Sequence, residues 1–213
     1  MALIGWPTLL IHPQCPLCHQ AWSGPSFCPS CRDQLKLNQP RPQGTQPIPW
    51  RALGLYDANW RQLILRLRQR ASPKVIRVLA SECLALLPKP RSAIQLCAIP
   101  PRPGHQPGPP QWIQREISRQ SRMRAQPLLH RRRACLGQHH LSGSQRRQNL
   151  QGVFSVEPLQ QPSAKVMLLD DVVTTGATSQ AAAEALQAAG YGVVGVLCLA
   201  HTSTSSLLDT TMT

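Results

Sequence analysis

Acidic residues are scarce in this chain. Nine Asp plus Glu stand against 23 Lys plus Arg, a formal charge of +14 over 213 residues. Such a balance favours polyanionic partners, nucleic acid or phosphorylated metabolites, unless it reflects only a generally basic surface. Aromatic residues are few as well, at 4% of the chain. Between residues 102 and 147 ten arginines accompany a single acid, Glu116, yet only Trp112 offers a ring of the kind that stacks on bases. That segment suits salt-dependent contact with phosphates better than a base-stacking platform. Long apolar runs are absent too, and nothing approaches the roughly 20 residues needed to cross a bilayer. The stretch MALIGWPTLLIHPQC has no basic n-region and no small-residue cleavage site, so no secretory signal is expected. A cytoplasmic setting with reduced thiols is the corresponding expectation. No G-x-x-x-x-G-K-[ST] sequence occurs, which argues against a P-loop ATPase.

Cysteine and proline, by contrast, are plentiful, with 8 and 21 residues. Cys15, Cys18, Cys28 and Cys31 form C-x2-C-x9-C-x2-C. Each C-x2-C turn presents two thiolates from one side, and two such turns complete a tetrahedron around Zn2+. The matched knuckles favour a structural zinc site over a redox dithiol pair or unconnected cysteines. With four thiolates no coordination position stays open, and nearby His12 and His19 are not needed as ligands. The remaining cysteines, Cys83, Cys97, Cys135 and Cys198, lie in or beside apolar runs and read as core residues.

Three zones follow along the chain. Residues 1–45 carry the cysteine quartet and run into NQPRPQGTQPIPW, a composition that favours an extended linker. Residues 50–90 read as helical. Trp60, Leu63, Ile64 and Leu67 follow helical spacing, and Ser72-Pro73 open a second helix with Val75, Ile76, Leu79 and Cys83 on one side. Arg61, Arg66, Arg68 and Arg70 read as a solvated face. From residue 93 the pattern turns to buried strands: AIQLCAIP, AKVMLLDDVV and YGVVGVLCLA, the last two separated by the helix TSQAAAEALQAAG with Gly190 at its end. Uniformly apolar strands alternating with a helix are the mark of a parallel sheet. Residues 101–150 show little periodicity, and the chain has no internal repeat.

The sharpest feature is VMLLDDVVTTGATS, residues 166–179. Asp170 and Asp171 would emerge at the carboxyl end of a strand, where open α/β sheets bind ligands. Thr174 to Ser179 would turn into a helix whose first N–H groups attract anions, with hydroxyls adding donors and Gly176 permitting close approach. The loop suits a phosphate. The acids, repelled by phosphate, suit sugar hydroxyls or a hydrated metal ion. A ribose 5-phosphate unit satisfies both halves.

These residues resemble the phosphoribosyl pyrophosphate (PRPP) motif of type I phosphoribosyltransferases: an apolar run, two acids, then TTG-(A/G)-T. A four-cysteine finger ahead of such a domain is similar to the ComF family, named for a role in DNA uptake during competence. RRRACLGQHHLSGSQRRQNLQGVF matches that family's Q-x-x-L…R-x-x-N-x-x-G-x-F stretch at Gln138, Leu141, Arg146, Asn149, Gly152 and Phe154. The resemblance implies a type I phosphoribosyltransferase-like parallel sheet flanked by helices over residues 46–213, behind a small zinc finger and linker at 1–45. It implies PRPP binding by Asp170, Asp171, Thr174, Thr175, Gly176, Ala177 and Thr178, with the two acids catalytic and Mg2+ accompanying PRPP. Pro101, Arg102, Gln138, Arg146 and Asn149 become candidates for pyrophosphate or acceptor contact.

One stretch departs from the pattern. Related proteins often carry R-G-F-N-Q after the strand that precedes the basic segment. Here CAIPPRPGHQPGPPQW follows, with Arg102 close to the strand end. Its prolines lack the N–H groups that would hold an oxyanion, leaving Arg131, Arg132, Arg133, Arg146 and Arg147 as substitutes if the basic segment folds back. Two functions therefore compete. One is phosphoribosyl transfer from PRPP to an unidentified acceptor. The other is a non-catalytic interaction protein whose arginine-rich segment binds single-stranded DNA or DNA-uptake proteins.

Overall fold

The computed structural model describes residues 13–132, 152–156 and 165–202. Its centre is a five-stranded sheet. β1 (Gln43–Gly44), β2 (Trp50–Leu55), β3 (Ile94–Ala98), β6 (Lys165–Val173) and β7 (Gly192–His201) stand in the order β1-β2-β7-β6-β3. All neighbours run parallel except the short edge strand β1. β4 (Leu129–Arg131) and β5 (Phe154–Val156) form a separate antiparallel pair.

Strand alternation divides the core into two layers. Met167 and Leu169 of β6, with Leu197 and Leu199 of β7, face α2 (Ala58–Gln69), α3 (Pro73–Leu86) and α4 (Pro109–Ser121). Val166 and Leu168, with Val196 and Cys198, face the helix Ala177–Ala188, here α5, and the β4–β5 pair. Both faces are covered, which explains why these strands read as continuous apolar runs. The fold is thus an α/β parallel sheet flanked by helices. Among the described residues no helix is long and apolar enough to cross a membrane.

The expected helices and strands occur close to their anticipated bounds. Trp60, Leu63, Ile64 and Leu67 are all buried, and Asp57 caps α2 by accepting from the N–H groups of Asn59 and Trp60. Ser72 occupies the N-cap of α3 but its side chain makes no capping bond. Two elements differ from expectation. Trp50–Leu55, placed in the helical zone, is a strand docked beside β7. Pro109–Ser121, within the stretch lacking periodicity, is a helix that buries Ile113 and Ile117. Its two leading prolines sit where helices tolerate them, because N–H groups in the first turn have no intrahelical partner.

The cysteine segment, with its short helix α1 (Pro29–Gln34), packs onto this frame. Phe27, Leu35 and Leu37 share an apolar cluster with α2 and α3. Trp60 donates its indole N–H to the Leu35 carbonyl at 3.2 Å, and Asn59 donates to Gln34 at 3.0 Å.

Candidate functional site

β6 sits inside the sheet between β3 and β7, so its carboxyl end lies along the edge where open α/β sheets bind ligands. Asp170 and Asp171 are its sixth and seventh residues and point to opposite faces. Asp171 is buried on the α2 side. Its Oδ2 accepts from Arg68 Nε at 2.7 Å and Nη2 at 2.6 Å, while Oδ1 accepts the Val172 N–H at 2.9 Å. Asp170 accepts the Asp171 N–H at 2.9 Å. Burial, reinforced by the negative charge of Asp171, pushes the Asp170 carboxyl up to about 8. Near neutral pH, then, Asp170 is mainly protonated, while Asp171 is paired with an arginine. Arg68 does not belong to a merely solvated face, as its helical position suggested.

Thr174 and Thr175 are exposed after β6, and Ala177 and Thr178 begin α5. Gly176 is the N-cap with φ 72°, and no side chain caps the helix start. Its first-turn N–H groups are therefore open to an anion, and the turn holds no acid to repel one. The glycine is required twice over. The left-handed conformation disfavours a side chain, and a Cβ would lie 2.7 Å from the Pro47 ring. The close approach that Gly176 permits in this structure is thus to Pro47.

Asp171 opens onto a cleft of about 550 Å³. Arg68, Pro101, Arg102, His105 and Arg131 line it, together with the start of α4. Of the pyrophosphate candidates, Pro101 and Arg102 share this cleft with Asp171. Gln138, Arg146 and Asn149 lie outside the described residues. The loop 174–178 follows the same strand but does not line the cleft. Backbone donors are few around it. Pro100, Pro101, Pro107, Pro109 and Pro110 have no N–H, and the Gly108 N–H is already engaged by the Gln111 side chain at 2.9 Å. Gln111 also donates to the Ile99 carbonyl at 2.7 Å, tying α4 to the end of β3. Positive charge here comes from guanidinium groups, not from main-chain amides. A slightly larger cleft of about 570 Å³ lies between the first knuckle and the α2–α3 turn. Its lining holds no acid.

The four finger cysteines converge, with all their sulfurs within 4.8 Å of one another. Cys15 and Cys31 sulfurs stand 3.9 Å apart, and Cys18 and Cys28 sulfurs 3.6 Å. A tetrahedron with metal–sulfur bonds of about 2.3 Å has edges of about 3.8 Å, so the arrangement is compatible with a zinc site. At Cys15 burial acts upward, but the backbone N–H groups of Cys18, Cys28 and Leu17 outweigh it and bring the thiol down to about 6. Burial and the neighbouring thiols push Cys31 far up instead. Holding all four as thiolates at such spacing would take a central cation. Cys83, Cys97 and Cys198 are buried, as their apolar surroundings suggested.

No family model matches the chain. Among curated proteins it is 32% identical over 197 residues to the DNA utilization protein YhgH of Salmonella typhi, covering 83% of this chain and 85% of that protein. The chain belongs to the ComF family. A second ComF-like match, YhgH of Escherichia coli strain K12, is 38% identical over 109 residues, or 44% of this chain and 47% of that protein. Solved structures similar to it include adenine phosphoribosyltransferase from Leishmania donovani, with 13% identity, a TM-score of 0.44, 91% of this chain and 80% of that one. Orotate phosphoribosyltransferase from Aeropyrum pernix gives 17% identity, a TM-score of 0.40, 85% of this chain and 86% of that one.

Within this ComF-family chain, Arg68 and His105 escaped the sequence reading. Helical periodicity identifies a polar face but not what that face meets. His105 sits in a proline-rich loop where no pattern signals convergence. Arg131 was anticipated only as one of several cations able to fold back over the site.

Proposed function

We propose that this chain binds PRPP and Mg2+ at the carboxyl edge of β6 and transfers its phosphoribosyl group to a nitrogen acceptor. The observation that carries this reading is the meeting of Asp171 with Pro101 and Arg102 in one cleft, although about seventy residues separate them in sequence. In this account Thr174, Thr175, Gly176, Ala177 and Thr178 receive the 5-phosphate at the open N-terminus of α5. Asp170 and Asp171 hold the ribose hydroxyls. Asp170, mainly protonated near neutrality, can donate as well as accept, while Asp171 accepts. Arg102 and Arg131 lie on the side where the diphosphate would extend, with Gln138, Arg146 and Asn149 assigned to the same group by family resemblance.

The reaction would form a bond from the acceptor nitrogen to the anomeric carbon and break the bond from that carbon to pyrophosphate. Pyrophosphate leaves with the bonding pair, and the acceptor's proton passes to solvent. Positive charge developing on the ribose would be favoured by the Asp171 side chain, and the leaving group's negative charge by the guanidinium groups. Asp171 is offset by Arg68, and Asp170 carries little charge, so the acids alone form a weak cation site. Mg2+ fits best as an ion brought with the diphosphate, where it supplies charge neutralisation. Cys15, Cys18, Cys28 and Cys31 would hold Zn2+ as a structural ion. We place the protein in the cytoplasm, where such thiols stay reduced. Incubation with Mg-PRPP and a panel of amines and nucleobases tests this reading. Acceptor-dependent pyrophosphate release is expected, and its absence with every acceptor would remove the transferase step.

A second reading is favoured by the exposure of Arg115, Arg119, Arg122 and Arg124 on and just after α4, away from the cleft lining. The relatives' name, DNA utilization protein, fits a polyanion on that surface. Binding of a single-stranded oligonucleotide that weakens steeply with salt, and is unchanged by PRPP, would support it.

A further inference from the structure

We infer that Arg68 is an exchangeable cation: it neutralises Asp171 while the cleft is empty and passes to the ligand's diphosphate when the ligand fills it. This rests on the ligand reading above. Two features of the pair point to exchange. Arg68 reaches the site from α2, the helix opposite the acid, and both of its contacts fall on one oxygen, Oδ2. Its side chain is 50% exposed and lines the same cleft as Arg102, His105 and Arg131. An ion pair with one half-exposed partner is weak, so the guanidinium can be traded for a stronger anion.

Asp171 sets the condition for that trade. Its side chain is only 13% exposed, and a buried carboxylate stripped of its partner is costly. Arg68 can therefore leave only when the incoming group offers Asp171 a replacement, a hydroxyl donor or a bound cation. A bare anion satisfies Arg68 but strands Asp171. A ligand that carries an anion together with hydroxyls or Mg2+ satisfies both. The pair would thus select for sugar diphosphates, or metal-loaded diphosphates, against simple anions. Because Nε and Nη2 form a planar fork, a lysine could not reproduce both contacts.

The probe is inorganic pyrophosphate with Mg2+, titrated calorimetrically into the full chain and into Arg68→Ala, Arg68→Lys, Asp171→Asn and the Arg68→Ala/Asp171→Asn double variant. Melting temperature is recorded for each. Exchange predicts at least tenfold weaker binding in Arg68→Ala and partial recovery in Arg68→Lys. It also predicts that pyrophosphate titrated without Mg2+, which strands Asp171 in the unaltered chain, binds several-fold tighter to Asp171→Asn, with loss of that gain in the double variant. Unchanged affinity in both folded Arg68 variants would overturn the role of Arg68 alone. So would a gain from Asp171→Asn that persists without Arg68, because simple charge removal would then account for it. If the unaltered chain binds no Mg-pyrophosphate, the site reading fails and the exchange with it.

Discussion

Arg32 on the cysteine-bearing helix Pro29–Gln34 and Glu82 on α3 meet at 2.5 Å, and the second Glu82 oxygen receives Arg41 at 2.6 Å. One carboxylate thus ties both the finger and the segment that follows it to the helical layer. All three side chains are mostly buried, between 15% and 24% exposed. Glu82→Gln leaves two arginines facing a neutral amide. It should destabilise the chain by about 2 kcal/mol, within the range for a partly buried pair. A urea melt at neutral pH measures the change. A loss no larger than a surface substitution would mean that the finger is held by apolar contacts alone.

Zinc removal should reach beyond the finger. Phe27, Leu35 and Leu37 belong to the same apolar cluster as α2 and α3, so chelation or Cys31→Ser should lower the melting temperature of the whole chain. The expected trace is a single shifted transition. Two transitions, with the upper one unmoved, would show that residues 46–213 are stable without the finger.

Asp170 gives the chain a pH signature with a definite sign. Its folded carboxyl stands at about 8 against a usual 3.8. The folded state therefore holds a proton that the unfolded chain releases. The associated stability is complete below pH 4 and is lost as the pH rises toward 8. Asp170→Asn cannot ionise and should flatten this decline. Urea midpoints at pH 5, 7 and 9 should fall with pH for the unaltered chain and fall less for the variant. Parallel curves would show that Asp170 ionises normally.

Gly176→Ala should cost about 1–2 kcal/mol, because φ 72° is unfavourable for alanine and its methyl would meet Pro47. It should also weaken phosphate-bearing ligands by disturbing the start of α5. Thermal melts and inorganic phosphate titrations separate the two effects. Full stability would show that the loop reshapes freely.

How much was legible follows from how each signal is carried. β6, α5 and β7 are readable because fully buried strands and an amphipathic helix ended by Gly190 leave local patterns, and the finger because ligand spacing is local too. β2 was missed: its buried centre, Ala52-Leu53-Gly54, is too short and too weakly β-forming to announce a strand beside an arginine. α4 was missed because Pro109 and Pro110 read as a loop lacking donors, and Ile113 and Ile117 alone make a faint stripe. Arg68 lies 103 positions from its carboxylate. Only the sheet order and the placement of α2 bring the two together, and no local spacing records that.

Whether Asp170 and Asp171 form a PRPP pocket is decided by calorimetric titration of zinc-replete protein with PRPP and Mg2+. Saturable binding to the unaltered chain, abolished in Asp170→Ala/Asp171→Ala, is expected. No heat and no thermal stabilisation at millimolar PRPP, or equal binding by the double variant, would contradict it.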